Sequence, residues 1–163
     1  MPGACAYRVR DLSRLHLSDP QTMKLVIIAA GKLKEKEVRA IADDYLARLR
    51  RWVKCDEIEV KSARDLAAAV PDGALLVALE VDGDALTSTE LSRRVERWGS
   101  TGKGVVAFVI GDADGVPKAL SQSAKARISL SKLTLPHRLA RVLLLEQLYR
   151  SLSILRGEPY ARE

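Results

Sequence analysis

Short apolar runs alternate along this chain with stretches of helical period, and that alternation constrains the fold more than any other feature. Lys24 to Ala30 is apolar and β-branched after its first residue and is ended by Gly31. It reads as a strand buried on both faces. Ala74 to Glu80 and Gly104 to Ile110 have the same character, the latter wholly apolar from Val105. Val53 to Val60 alternates weakly and reads as a further strand, as does Ala126 to Leu130. Helices fill the intervals. From Glu35 to Leu49, apolar residues recur at Val38, Ile41, Ala42, Tyr45 and Leu49, with Lys34, Lys36, Arg39, Arg48 and Arg50 placed for solvent. Ala63 to Val70 reads as a short helix closed by the turn Pro71-Asp72-Gly73. Asp82-Gly83-Asp84 reads as a loop. Thr87 to Glu90 has the form of a capping box and starts a helix that runs to Trp98 and ends at Gly99. Pro117 suits the first turn of another short helix. Arg138 to Leu155 is the longest helix, with Leu139, Val142, Leu145, Leu148, Tyr149, Leu152 and Leu155 on its buried side and Gly157 and Pro159 as its stop. Strands alternating with helices predict an α/β domain with a mostly parallel sheet.

Residues 1–22 break this pattern. Arg8, Arg10, Arg14, Asp11, Asp19 and His16 are scattered there among apolar residues, and Pro2, Gly3 and Pro20 oppose a continuous helix. Two expectations stand side by side: a disordered N-terminal extension, or a misassigned start with Met23 as the initiator. Residues 23–163 form one domain, without an internal repeat or linker. The whole chain of 163 residues has 27 basic and 21 acidic side chains, a net charge of +6. Removing the three arginines and two aspartates of residues 1–22 leaves 24 basic and 19 acidic, so +5 belongs to the domain. A surplus of this size points to an anionic partner. With seven aromatic side chains in all, a binder that stacks bases along an aromatic platform is disfavoured.

The longest apolar runs, such as Leu25 to Ala30 and Ala74 to Leu79, are six residues, against about 20 for a membrane-spanning helix. Cys5 and Cys55 make neither a disulfide framework nor a zinc site, and His16 and His137 are too few for most metal constellations. A reducing, cytoplasmic location, no membrane and no metal are the corresponding expectations.

In an open α/β sheet, ligands bind beyond the carboxyl ends of the strands. Two loops there could carry chemistry. Ile110-Gly111-Asp112-Ala113-Asp114-Gly115 would let backbone approach a ligand closely, or be a plain turn. It has neither the dinucleotide nor the phosphate-loop pattern. Ser129 to Arg138 leaves a strand, is apolar yet rich in hydroxyls, and ends at a helix start. Ser131 and Thr134 could hold a polar ligand or merely cap the turn. His137 is either a catalytic group or an orienting, partly buried histidine. Arg141 and Arg150 lie nine positions apart and point to different helix faces, and Glu146 and Arg150 are spaced to pair.

From Met23 onward the chain resembles the RlmH family of ribosomal RNA methyltransferases. The similarity lies in Met23-Lys24-Leu25, in Phe108 to Gly111 with Gly115, and in Glu146 to Arg150. It lies above all in Leu130-Ser131-Lys132-Leu133-Thr134-Leu135-Pro136-His137 and in the closing Gly157 to Glu163. The resemblance implies a SPOUT-like α/β knot, a mostly parallel sheet with a C-terminal trefoil knot, which is rare among folds. It implies a homodimer that binds S-adenosyl-L-methionine and methylates N3 of a pseudouridine in 23S ribosomal RNA. The implied cofactor contacts are Leu79, Gly111, Asp112, Ser131, Lys132, Leu133, Thr134, Leu135 and Pro136. His137, Arg150, Tyr160 and Arg162 are the implied catalytic residues, with Arg141 also near the substrate side. Positive charge from Arg150 and Arg162 would stabilise the imide anion, and Tyr160 would position it. Two such domains would bring about +10 to the RNA and make binding salt-sensitive.

Two departures from the family pattern bear on function. Asp112 stands where a second glycine is usual, either to bond a ribose hydroxyl or to crowd the cofactor. Ala161 stands where a histidine is usual. Both keep open a non-catalytic RNA- or ribosome-binding protein of the same fold. A small-molecule α/β enzyme is a third reading, which would leave the charge surplus unused.

Overall fold

The structure, a computed structural model, describes residues 22–161. All but the last of residues 1–22 lie outside the described residues, as does Arg162. The chain runs β1 (Lys24–Ala30), α1 (Lys36–Arg50), β2 (Lys54–Val60), α2 (Leu66–Ala69), β3 (Leu75–Ala85), α3 (Ser88–Gly99), β4 (Val105–Ile110), α4 (Lys118–Ser123), β5 (Ala126–Ser129) and α5 (His137–Arg156). The five strands form one sheet in the order β2-β1-β4-β3-β5, and every pairing is parallel.

Parallel pairing follows from the helical crossovers, and it explains the unbroken apolar runs. In β1, Leu25, Ile27 and Ala29 face one core with α1, α3 and α5, while Val26, Ile28 and Ala30 face a second with α2 and α4. The ends of the helices match their local chemistry. Thr87 accepts from the Glu90 N–H at 3.2 Å and the Glu90 carboxylate accepts from Thr87 N–H at 2.8 Å, closing the capping box of α3. Gly157 ends α5 in the left-handed region, φ +67°, where a side chain would be strained.

Two expectations from the sequence need correction. Asp82-Gly83-Asp84 is not a free loop, because β3 continues to Ala85. Leu79 and Asp84 both pair with Ile128, so residues 80–83 are pushed out of the ladder as a bulge. Gly83 makes this possible: a Cβ there would lie 2.7–2.9 Å from the backbone of Ile128 and Arg127. Leu139, expected on the buried side of the last helix, is 49% exposed. Its place on the buried stripe is taken by Arg141, which is wholly buried.

One consequence of the topology positions the site. β5 is the edge strand, yet α5 packs between α1 and α3 on the far side of β3 and β4. The connection 130–136 must therefore return across the carboxyl ends of β3 and β4.

Candidate active site

The returning loop roofs a cavity of about 740 Å³ at the carboxyl ends of β3, β4 and β5. Its walls come from three stretches: residues 79–82, 110–116 and 129–137. Every cofactor residue that the family resemblance implies lines this cavity except Lys132, which is exposed and does not line it. His137 lines it too. The bulge adds Glu80, Val81 and Asp82, which sequence reasoning missed. No sequence signal pointed to them, because Asp82-Gly83-Asp84 has the composition of a loop.

Each wall is fixed by local chemistry. The β4 loop closes as a turn, with Gly115 N–H donating to Asp112 O at 2.9 Å and Gly115 at φ +82°. Gly111 packs so tightly under this turn that a Cβ would lie 2.1 Å from the Gly115 carbonyl carbon. Asp112 neither plugs the cavity nor stands idle. Its carboxylate accepts from Asp114 N–H at 3.0 Å and from Ala63 N–H at 3.3 Å, tying the turn to the start of the helical segment after β2. Each oxygen keeps a lone pair for a ligand hydroxyl. In the returning loop, Ser131 Oγ accepts from Leu133 N–H at 3.0 Å and Ser129 Oγ donates to Ser131 O at 2.8 Å. Ser131 therefore shapes the turn, as its capping alternative has it, and leaves Leu133 74% exposed. No side chain caps α5; Leu139 N–H turns back to Pro136 O at 2.9 Å, which leaves the His137 and Arg138 N–H groups without a capping side chain at the cavity's edge.

The electrostatics are unusual for so basic a chain. Glu80, Asp82, Asp112 and Asp114 all line the cavity, with no lysine or arginine among the lining residues. Burial, and then the neighbouring Arg141 charge, hold the His137 imidazole below its ordinary value, so it is neutral at pH 7. Its Nε2 is buried without a partner among the described groups. Such a chamber suits a cationic ligand with polar edges better than a phosphate.

Behind His137 lies a buried charge cluster. Arg141 donates to the carboxylates of Glu57 and Glu59 and, at 3.2 Å, to Gly31 O. Arg39 grips Glu57 with two bonds of 2.6 and 2.9 Å. Burial raises the Glu57 carboxyl, but bonds from Arg39 and Arg141 outweigh this and hold it below its ordinary value. Arg141 is thus not a substrate-facing group. It clamps the ends of β1 and β2 to α5, one turn from His137.

Arg150 and Tyr160 come together, though not here. Arg150 pairs with Glu146 at 2.7 Å and lies 5.1 Å from the Tyr160 ring centroid, and Tyr160 donates to Glu146 at 2.9 Å. Burial, with hydrogen bonds to Tyr45 and Glu146, pushes the Tyr160 phenol above its ordinary value. Arg150 is 13 residues after His137 on one helix, roughly 20 Å along its axis. Within one chain, then, this pair does not reach the cavity.

Among the described residues no group of three His, Cys, Asp or Glu could hold a metal, and no helix is long and apolar enough to cross a membrane. The family model described as "Predicted SPOUT methyltransferase" matches residues 23–161. A protein of Sorangium cellulosum named Ribosomal RNA large subunit methyltransferase H is 54% identical over 144 residues, covering 85% of this chain and 99% of its own. One of the same name from Acetivibrio thermocellus is 40% identical over 159 residues, covering 86% of this chain and 100% of its own. Among solved structures, a probable methylase family protein from Haemophilus influenzae has a TM-score of 0.52 at 10% identity, over 88% of this chain and 72% of that one, a likeness of fold. With its all-parallel sheet and a cavity over the strand ends, the chain belongs to the SPOUT methyltransferase family, among the ribosomal RNA large subunit methyltransferase H proteins.

Proposed function

We propose that this chain transfers a methyl group from S-adenosyl-L-methionine to N3 of a pseudouridine in 23S ribosomal RNA, as a cytoplasmic homodimer whose catalytic unit is residues 23–163. The observation that carries the proposal is the acidic cavity of about 740 Å³ over β3, β4 and β5. Its volume falls in the usual range for small-molecule sites. The cofactor, when bound, supplies a methyl already activated on a positively charged sulfonium. The donor set fits it. Glu80, Asp82, Asp112 and Asp114 favour a cation and offer acceptors to hydroxyl and amino groups. The tight Gly111 turn and the Ser131 to Pro136 loop present backbone groups to an adenine edge. The open first turn of α5 favours a carboxylate.

The chain's own task is to hold the pseudouridine N3 in line with the methyl and to ease loss of its proton. Neutral His137 is an acceptor at the cavity. Arg150 and Tyr160 supply positive charge and a phenol that stays protonated. Since they lie about 20 Å from His137 along one helix, a second copy must bring them to the cavity. Arg162 and the C-terminal knot belong to the same reading. Of the two departures that favour a non-catalytic alternative, Ala161 stands, while Asp112 lies in the cavity wall with its carboxylate on loop N–H groups, which supports the catalytic reading.

The test is incubation of the full chain with methyl-labelled cofactor and ribosomes from a strain lacking the modification. Label at a pseudouridine N3 of 23S RNA is expected. Cofactor binding by calorimetry without label in the RNA would refute the proposal.

A further inference from the structure

The acidic cavity raises a question of charge: it repels phosphate, so the RNA backbone needs a basic surface elsewhere. A second cavity of about 740 Å³ lies at the other end of the sheet, under the first residues of β1 and β2. Its lining includes Lys24, Arg50, Arg51, Trp52 and Lys54, with Asp56 as its one carboxylate. Both α1 and α5 end near it, since each runs antiparallel to the strands.

The state of each charge matters. Lys24 pairs with Asp56 at 2.6 Å, so these two cancel. Arg50 uses Nε on Cys55 O at 2.9 Å, which holds it across the cleft and leaves its other N–H groups outward. Arg51 and Lys54 are exposed, and neither is in an ion pair with any described residue. Three uncompensated cations therefore lie within five residues. Basic groups near a helix C-terminus complement its dipole, but one would suffice for that. Trp52 offers no free stacking platform: its ring stacks on Tyr149, centroids 4.8 Å apart at 8°, and Arg156 lies 5.1 Å from its centroid.

We propose that this cleft grips the phosphodiester backbone of the substrate RNA, at the opposite end of the sheet from its own chain's methyl-transfer cavity and without reading its bases. β1 separates the two ends of the sheet by about 20 Å. Charge there anchors the RNA backbone and fixes its register on the dimer without sequence contacts. The inference rests on the methyltransferase reading above.

The test uses Arg51→Glu/Lys54→Glu, which leaves the bonded Arg50 in place, and the milder Arg51→Gln/Lys54→Gln should the reversal disturb folding. Cofactor affinity by calorimetry serves as the control and should not change. For the reversal variant, KM for unmodified large subunits should rise at least about tenfold, and the salt slope of binding should fall by about two, one per lost phosphate contact. A photo-crosslinker at position 51 should capture ribosomal RNA. Unchanged KM and salt slope in a variant that still methylates would overturn the cleft and leave the enzyme reading standing. A crosslink to ribosomal protein alone would overturn it in favour of an acidic protein contact. Failure of the wild-type chain to methylate ribosomal RNA would overturn both.

Discussion

Replacing Arg141 by methionine should be the most damaging single change behind the cavity. The guanidinium is wholly buried, and the side chains of Glu57 and Glu59 are only 7% and 24% exposed. Methionine keeps much of the volume but leaves two carboxylates with one cation, Arg39, which reaches Glu57 at 2.6 Å and Glu59 at 3.4 Å, beside the Leu33 N–H that donates to Glu59 at 3.2 Å. Removing one member of a buried ionic cluster costs about 3–5 kcal/mol. Against a typical total of about 5–15 kcal/mol, that is a large share. The pH dependence identifies the cause. In the wild type the Glu57 carboxyl lies below its ordinary value, so its contribution is complete above that value and is lost as pH falls through the lowered one. In the variant the Arg141 contributions are lost while burial and the Arg39 bonds remain, so the carboxyl moves up from its lowered value. Its cost is then present above the raised value and fades as pH falls through it. The stability gap should be widest at neutral pH and narrow as pH falls through the carboxylate range, from the variant's higher value toward the wild type's lowered one. Urea unfolding at several pH values measures it. A gap below about 1 kcal/mol, or one constant with pH, would refute the ionic account.

Other expected outcomes are simpler. Gly111→Ala should weaken cofactor binding at least about tenfold in calorimetry, because a Cβ 2.1 Å from the Gly115 backbone forces the turn open. Thr87→Ala should lower stability by about 1 kcal/mol through loss of the α3 cap, with methylation rates unchanged. At cofactor concentrations too low to load Gly111→Ala, mixing that variant with Arg150→Ala should restore activity at about a quarter of the sites if each site draws on two copies. No recovery after subunit exchange would place the whole site in one chain. Burial pushes the Cys55 thiol up to about 12, so iodoacetamide at pH 8 should modify it only after unfolding.

How much of this was legible beforehand varied with the physics of each element. β1 and β4 were plain because strands covered on both faces must be apolar throughout, and α3 because its cap is written in Thr87 and Glu90. The extension of β3 was hidden, since Asp82 and Asp84 look like loop residues and only the close approach of Gly83 to β5 turns them back into strand. The burial of Arg141 was hidden by the assumption that a charged helix residue faces water. The clue was its spacing of four, seven and eleven positions before Leu145, Leu148 and Leu152, together with Glu57 and Glu59 on one face of β2. The acidic lining was also unread, because its four carboxylates come from two loops that only the sheet brings together.

The three stretches that wall the cavity are separated in the chain by residues 83–109 and 117–128. A ligand that touches all of them acts as a reversible staple across those intervals. Its hold adds to the stability of the carboxy-terminal third in proportion to the logarithm of its concentration, while the β1–β2 edge gains nothing directly. Resistance of the returning loop to a protease should therefore track cofactor supply. The tightness of that loop, rather than the integrity of the whole domain, becomes a gauge of how well the chain is loaded.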